Sequence, residues 1–251
     1  SQTTVFEQAA GMVRDGDRVG LGSGRAAAKF IETLGARVRA GLAIRGFPTS
    51  LAAERQAREE GIPLLDAADA ADGLDIAVDG ADQFTPTGLD LIKGLGRCAL
   101  REMVVARLAS RFVIVVGPGK RVTRLGEAFA DGRPMRLPVE VVPFAEPFVA
   151  RGIERLGLEP EPWCVDGRRG LTDNGNHVLD CRMDAVDDPA GLDHDELQLV
   201  AGAVQLHPEE RQVVGQVHEL RALVGAEADD AVRQEDLVRR RRVEIGGDEV
   251  G

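Results

Sequence analysis

Arg18-Val19-Gly20-Leu21-Gly22-Ser23-Gly24-Arg25-Ala26-Ala27 is the stretch whose reading decides the fold. A short apolar strand runs into a glycine-rich turn, and the turn opens a helix over 26–34 that Gly35 closes. The order then repeats: residues 42–47 read as a second strand, Pro48-Thr49-Ser50 as its turn, and 51–60 as a second helix. Further strands are expected at 62–65 and 74–78, a helix at 99–108, and a continuous apolar run covers Phe112-Val113-Ile114-Val115-Val116. Upstream, Val5, Ala9, Met12 and Val13 are spaced as on a helix over 5–15. Apolar runs alternating with helices indicate a parallel sheet covered on both faces.

After Leu137-Pro138-Val139-Glu140-Val141-Val142 the texture changes. A helix at 148–156 precedes the sharp turn Gly170-Leu171-Thr172-Asp173-Asn174-Gly175-Asn176 and a strand at Val178-Leu179-Asp180. The expected fold class is α/β: a Rossmann-like parallel sheet flanked by helices, with a smaller α+β domain inserted before the C-terminal segment. The main domain is expected to span 1–129 plus part of 206–251, and the small one 130–205. Residues 226–251, with Arg239-Arg240-Arg241-Arg242, read as a charged, solvated extension.

Composition narrows the function classes. The formal charge of −11 repels polyanions, which argues against a nucleic-acid partner. No apolar run approaches the ~20 residues that cross a bilayer, so no membrane partner is expected. Cys98, Cys164 and Cys181 are isolated and form no CxxC pair, which suits a reducing compartment. His177, His194, His207 and His218 form no HxH or HExxH pattern, which argues against a histidine-rich metal site and leaves an all-carboxylate magnesium site open. The N-terminus, Ser1-Gln2-Thr3-Thr4, shows no basic region followed by an apolar one, so no export signal is expected there, and the missing initiator Met leaves a processed start open.

Gly22-Ser23-Gly24-Arg25-Ala26-Ala27 formally satisfies the dinucleotide fingerprint G-x-G-x-x-A. That motif needs an acidic residue at the end of the second strand, where this chain has Thr49 and Ser50 instead. Hydroxyls and free N–H groups at a helix start suit a single phosphate. Ser23, Gly24, Arg25, Thr49 and Ser50 are therefore candidate phosphate contacts, against the plainer alternative of a tight turn with a surface arginine.

The chemistry is expected further along. Val78-Asp79-Gly80-Ala81-Asp82 ends a strand, Ile92-Lys93-Gly94-Leu95-Gly96 is a lysine on a glycine loop, and Arg101-Glu102 opens the next helix. In an open parallel sheet, ligands bind beyond the carboxyl ends of the strands. Gly80 is expected to turn the chain with a positive φ. Moving a proton between adjacent carbons of a sugar needs a carboxylate base, for which Glu102 is the candidate, and a cation for the developing oxyanion, for which Lys93 is. Asp79 and Asp82 would open the sugar ring. The structural alternative is that the aspartates cap a turn and Lys93 is solvated.

At these motifs, together with GxGSG, PVEVVP and LTDNGN, most of residues 5–190 resembles the ribose-5-phosphate isomerase A family. The resemblance implies a cofactor-free, metal-independent cytoplasmic isomerase of ribose 5-phosphate, homodimeric or homotetrameric. It gives Glu102 the proton shuttle and Lys93 the enediolate. Asp79 and Asp82 take ring opening and hydroxyl binding, Lys120 lines the site, and Gly94 and Gly96 form the loop against the substrate. It places the turn before His177 outside the chemistry. Where the family carries Ser-Thr in the phosphate loop, this chain has Arg25 and Ala26. The family's N-terminal lysine has no counterpart in residues 1–10, Leu95 and Arg97 replace small residues, and the closing segment is unrecognisable after ~200. The alternatives are an isomerase of another phosphorylated sugar and a non-catalytic sugar-phosphate sensor. The sensor predicts loss of Glu102 or Lys93, and both are present. Trp163 is expected to pack in the small domain.

Overall fold

The computed structural model describes residues 3–86, 90–187, 204–205 and 219–224. The expected extension at 226–251, with its four arginines, lies outside the described residues. In chain order, helix α1 (Val5–Gly11), strand β1 (Arg18–Leu21), α2 (Arg25–Arg39), β2 (Arg45–Pro48) and α3 (Leu51–Glu59) form the first half of the main layer. The short helix α4 (Ala67–Ala71), β3 (Ile76–Asp79), β4 (Gln83–Phe84), β5 (Leu91–Ile92), α5 (Ala99–Leu108) and β6 (Arg111–Val116) follow. Then come β7 (Arg136–Val141), α6 (Glu146–Arg155), β8 (Glu159–Pro162), β9 (Cys164–Val165), β10 (Arg168–Arg169) and β11 (His177–Arg182). Strands β12 (Val204–Gln205) and β13 (Glu219–Val224) close the set.

Five strands pair in parallel in the order β13-β6-β3-β1-β2. Side chains alternate across this sheet with period two. Val19, Leu21, Ile76, Val78, Val113 and Val115 face a core built with Phe30, Ile31 and Leu34 of α2 and Ala9 and Ala10 of α1. Ala77, Phe112, Ile114 and Val116 face the other way, against Val105 and Ala106 of α5. Asp79 is two residues beyond Ala77, so the same alternation turns its carboxylate toward α5. Gly20 shares that face: a Cβ there would lie 2.5 Å from Val105 Cγ1 and 2.6 Å from Ala77 Cβ. Its bare backbone lets α5 settle onto the sheet.

The second layer is antiparallel, in the order β7-β11-β8, with α6 against it. Leu137, Val139 and Val141 alternate inward with Ile153, Leu158, Leu179 and Cys181. Pro138, Pro160 and Pro162 sit on β7 and β8, the edge strands, where a missing N–H costs no ladder bond. The ribbons β12-β5-β4 and β9-β10 complete the sheets. Trp163 is half-buried, with Gly170 packed on its ring and the Arg97 guanidinium 4.7 Å from its centroid.

Five local expectations are corrected. Gly35 does not end α2, which runs on to Arg39. A Cβ at Gly35 would lie 2.6 Å from Glu60 Cβ, so its smallness serves the packing of α2 on the end of α3. Residues 62–65 make only a single bridge, Leu64 with Gly46, because α4 follows at once. The first helix stops at Gly11, and the second strand begins at Arg45 rather than at residue 42. Gly80 is absent from the positive-φ residues; its role is in its polar backbone atoms, described below. Among the described residues no helix is long and apolar enough to cross a membrane.

Candidate active site

The carboxyl end of β3 and the N-terminal turn of α5 converge on Lys93, and the loop after β1 joins them through Asp79. Lys93 is 5% exposed, and its ammonium lies 2.9 Å from Asp79 Oδ2 and 3.4 Å from Glu102 Oε2 and donates to the Gly80 carbonyl at 2.5 Å. Burial alone would lower the Lys93 pKa, but the charges of Asp79, Glu102 and Asp82 outweigh it and raise it. Lys93 therefore stays a cation, held between the Asp79 and Glu102 carboxylates. No set of three or more His, Cys, Asp or Glu side chains among the described residues is placed to hold a metal.

Asp79 is saturated. Its Oδ1 accepts the Ser23 N–H at 3.0 Å and the Gly80 N–H at 2.7 Å, while Oδ2 faces Lys93. Asp82 spends Oδ2 on the Leu95 N–H at 3.0 Å and is only half-buried. Burial pushes its carboxyl up. Glu102 is 5% exposed, and its Oε2 accepts no hydrogen bond. Burial raises this carboxyl to about 7, against the opposing pull of Lys93. A buried carboxylate raised toward neutrality, with an oxygen that accepts no hydrogen bond and has only the Lys93 charge beside it, is suited to take and return a proton.

The glycine loop is tied directly to this centre. A Cβ on Gly22 would lie 2.2 Å from Asp79 Oδ1 and 2.6 Å from its Cα, so only glycine lets the loop pass. Gly22→Ala is expected to cost about 1–3 kcal/mol through overpacking. Because the atom in the way belongs to Asp79, turnover should fall with the melting temperature, which thermal melts and kinetics on one sample would check. An active variant of unchanged stability would show that the contact is soft.

Ser23 Oγ lies 2.7 Å from Thr49 Oγ1 and donates to Ser50 Oγ at 2.7 Å, and Ser50 in turn caps α3 by accepting the Ala53 N–H. Thr49 and Ser50 are buried beneath the loop. Gly24, at φ +90, is the N-cap of α2 and supplies no side-chain cap, so the first N–H groups of that helix are open to an anion. Arg25 is exposed at the first position of α2. The three hydroxyls and the loop backbone thus form one cup, with Arg25 at its rim.

Gly94 is buried at φ +102, where a Cβ would press on Ala99 and Pro138 at 3.0 Å, whereas Gly96 has open space around it. Arg97 adopts φ +65, a conformation that costs a non-glycine residue about 1–2 kcal/mol. It is held there by a two-pronged ion pair with Asp180, at 2.5 and 2.9 Å, and by the Trp163 ring. This clamp fixes the loop carrying Lys93. Lys120 is half-buried with its ammonium 5.3 Å from the centre of the Phe129 ring, and its charge reaches Asp82.

Two residues here had no assigned role from sequence. Cys98, read only as an isolated cysteine, is the N-cap of α5, and burial, followed by the charge of Glu102, pushes its thiol up to about 11. Glu140 is fully buried. A glutamate inside an apolar strand is the signal that could have singled it out.

The comparisons with known proteins agree with this geometry. Residues 45–206 match the family model for ribose 5-phosphate isomerase A (phosphoriboisomerase A). The chain is 44% identical over 193 residues to ribose-5-phosphate isomerase A of Trichormus variabilis, covering 75% of this chain and 78% of the relative. It is 42% identical over 197 residues to that of Thermomicrobium roseum, covering 78% and 80%. Among solved structures, the ribose 5-phosphate isomerase A of Methanocaldococcus jannaschii superposes with a TM-score of 0.76 at 35% identity, covering 89% of this chain and 93% of that one. A D-ribose-5-phosphate isomerase in complex with phospho-erythronic acid gives 0.73 at 29% identity, covering 88% and 92%. On motifs, geometry and relatives together, the chain belongs to the ribose 5-phosphate isomerase A family.

Proposed function

We propose that this chain interconverts ribose 5-phosphate and ribulose 5-phosphate, with Glu102 carrying one proton between C2 and C1. The observation that carries this reading is the buried Glu102 carboxylate, raised to about 7, whose Oε2 lies 3.4 Å from the Lys93 cation and accepts no hydrogen bond. Glu102 takes the proton from C2 of the open-chain aldose as negative charge develops on O1. Lys93 stabilises that oxyanion; one such donor in a buried site is worth ~3–4 kcal/mol. The O2 proton passes to O1, and Glu102 returns its own proton to C1 to leave the ketose.

Asp79, with both oxygens engaged, holds Lys93 and the glycine loop in register. Asp82, half-buried and with its second oxygen uncommitted, is the better placed to move a proton during ring opening. The cup of Ser23, Thr49, Ser50 and the α2 N-terminus takes the phosphate, and Arg25 adds a bidentate grip from the rim. Lys120 contributes positive charge on the Asp82 side. We take residues 1–129 with part of 206–251 as the catalytic unit and 130–205 as a smaller one; β13 closing the main sheet supports the first, and the core around β7, β11 and α6, which also takes in Ile92 and Leu125, supports the second. The enzyme is proposed to act in the cytoplasm as a homodimer or homotetramer.

The test is ketopentose formation from ribose 5-phosphate without added metal. Turnover supports the reading. Its absence from folded protein would redirect it to another phosphorylated sugar, chosen by Arg25 and Ala26. The base must be ionised to act, so kcat/KM should be flat above neutrality and fall about tenfold per unit below pH ~7. A profile that stays flat down to pH 5 would rule out Glu102 as the titrating base.

A further inference from the structure

The catalytic helix α5 begins without a side-chain cap of its own, because Cys98 supplies none. Its second residue, Leu100, instead donates its N–H to Glu140 Oε2 on β7, at 2.9 Å and 40 residues away in sequence. The other oxygen of Glu140 accepts from Thr172 Oγ1 at 2.8 Å, Asn176 Nδ2 at 3.0 Å and Asn174 Nδ2 at 3.1 Å. All four partners donate, and an ionised carboxylate only accepts, so the network is fully matched.

The turn over 172–176 also grips α5 directly. Arg101 donates from Nε to Asn174 Oδ1 at 2.8 Å and from its guanidinium tip to the Asp173 carbonyl at 3.4 Å. The Arg101-Glu102 pair thus divides its labour, the arginine reaching outward to the turn and the glutamate inward to Lys93. The same turn reaches the phosphate side, where Asp173 Oδ2 accepts the Leu51 N–H at 2.7 Å, at the start of the helix capped by Ser50. A turn that the resemblance placed outside the chemistry therefore braces the elements carrying both the base and the phosphate cup.

We infer that Glu140 is a positioning residue for the isomerisation. Acting from the second sheet, with the 172–176 turn, it supplies the missing cap of α5 and fixes the first turn of that helix, so that the Glu102 carboxylate meets Lys93 and the substrate carbon. The inference rests on the functional reading above for its kinetic consequence, though not for its structural one.

Glu140→Gln keeps the shape and turns an amide NH2 toward groups that already donate. Two measurements test it. By NMR, exchange of the Leu100 amide, whose acceptor is Glu140, should be faster in the variant while β6 amides keep their protection. In steady state with ribose 5-phosphate, kcat should fall about 10–100-fold, the scale of a small misplacement of a catalytic group, with KM within about twofold. Asn174→Ala, at an exposed position, removes one Glu140 bond and the Arg101 bond, and should lower kcat several-fold even if Glu140→Gln does not fold. Wild-type exchange and wild-type kcat in variants that merely melt earlier would overturn the proposal and leave Glu140 a stabilising residue only. A wild-type protein that does not turn over ribose 5-phosphate would overturn the functional reading instead, and the exchange of Leu100 would still decide the positioning claim.

Discussion

Glu102→Gln is expected to lower kcat for ribose 5-phosphate by about 10³-fold or more, near the upper part of the range for loss of a general base. The size follows from the double duty of this group, which both removes and returns the proton. Gln has nearly the same shape and can stay in the site, so thermal melts and circular dichroism should remain close to wild type. The loss would then be chemical rather than structural. KM should change little, because the phosphate cup of Ser23, Thr49 and Ser50 is built on other elements. Glu102→Asp is a useful companion: it keeps the charge but withdraws it by one methylene, and it should recover only part of the activity. Turnover surviving in Glu102→Gln would sink the proton-shuttle assignment.

Lys93→Met should damage stability and rate together. The change approximately conserves volume, yet it leaves Asp79 Oδ2 and the Gly80 carbonyl facing an apolar side chain. Breaking a buried ion pair from one side costs about 3–5 kcal/mol, which for a chain of this size is roughly 6–20 °C in melting temperature. Loss of the oxyanion donor should lower kcat by a further ~10²–10³-fold. Assays well below the melting transition separate the two effects, since a folded variant would still lack the electrophile. A folded Lys93→Met enzyme within about tenfold of wild-type kcat would show that another group stabilises the enediolate.

How much of this was legible depended on the range of the forces involved. The glycine loop, Asp79, Asp82, Lys93 and Glu102 were readable because each sits at a junction of strand, turn and helix, where local chemistry constrains sequence. Their convergence followed from the rule that parallel sheets bind ligands at the carboxyl ends of their strands. The misreadings are of another kind. Gly35 looked like a helix stop and proved to be a packing gap for Glu60. Gly80 looked like a positive-φ turn and instead presents its N–H to Asp79 and its carbonyl to Lys93. In both cases a residue distant in sequence, or a specific polar contact, decided what the glycine is for.

Glu140 and Arg97 sharpen the point. In sequence, Glu140 is a charged residue interrupting an apolar strand, and Arg97 an arginine where small residues were expected. Nothing local says that one caps a helix forty residues upstream, or that the other is held in left-handed backbone by Asp180 and Trp163. By itself, the sequence determined the α/β class, the strand-loop-helix units and the residue types available for a proton transfer. Period-two alternation and glycine placement are written along the chain at short range. Only the tertiary structure decided which carboxylate is saturated by hydrogen bonds and which is not, how deeply Lys93 is buried, and that burial raises Glu102 toward neutrality. Those properties depend on desolvation and on charges brought together from separate strands, and both arise only when the chain has closed around them.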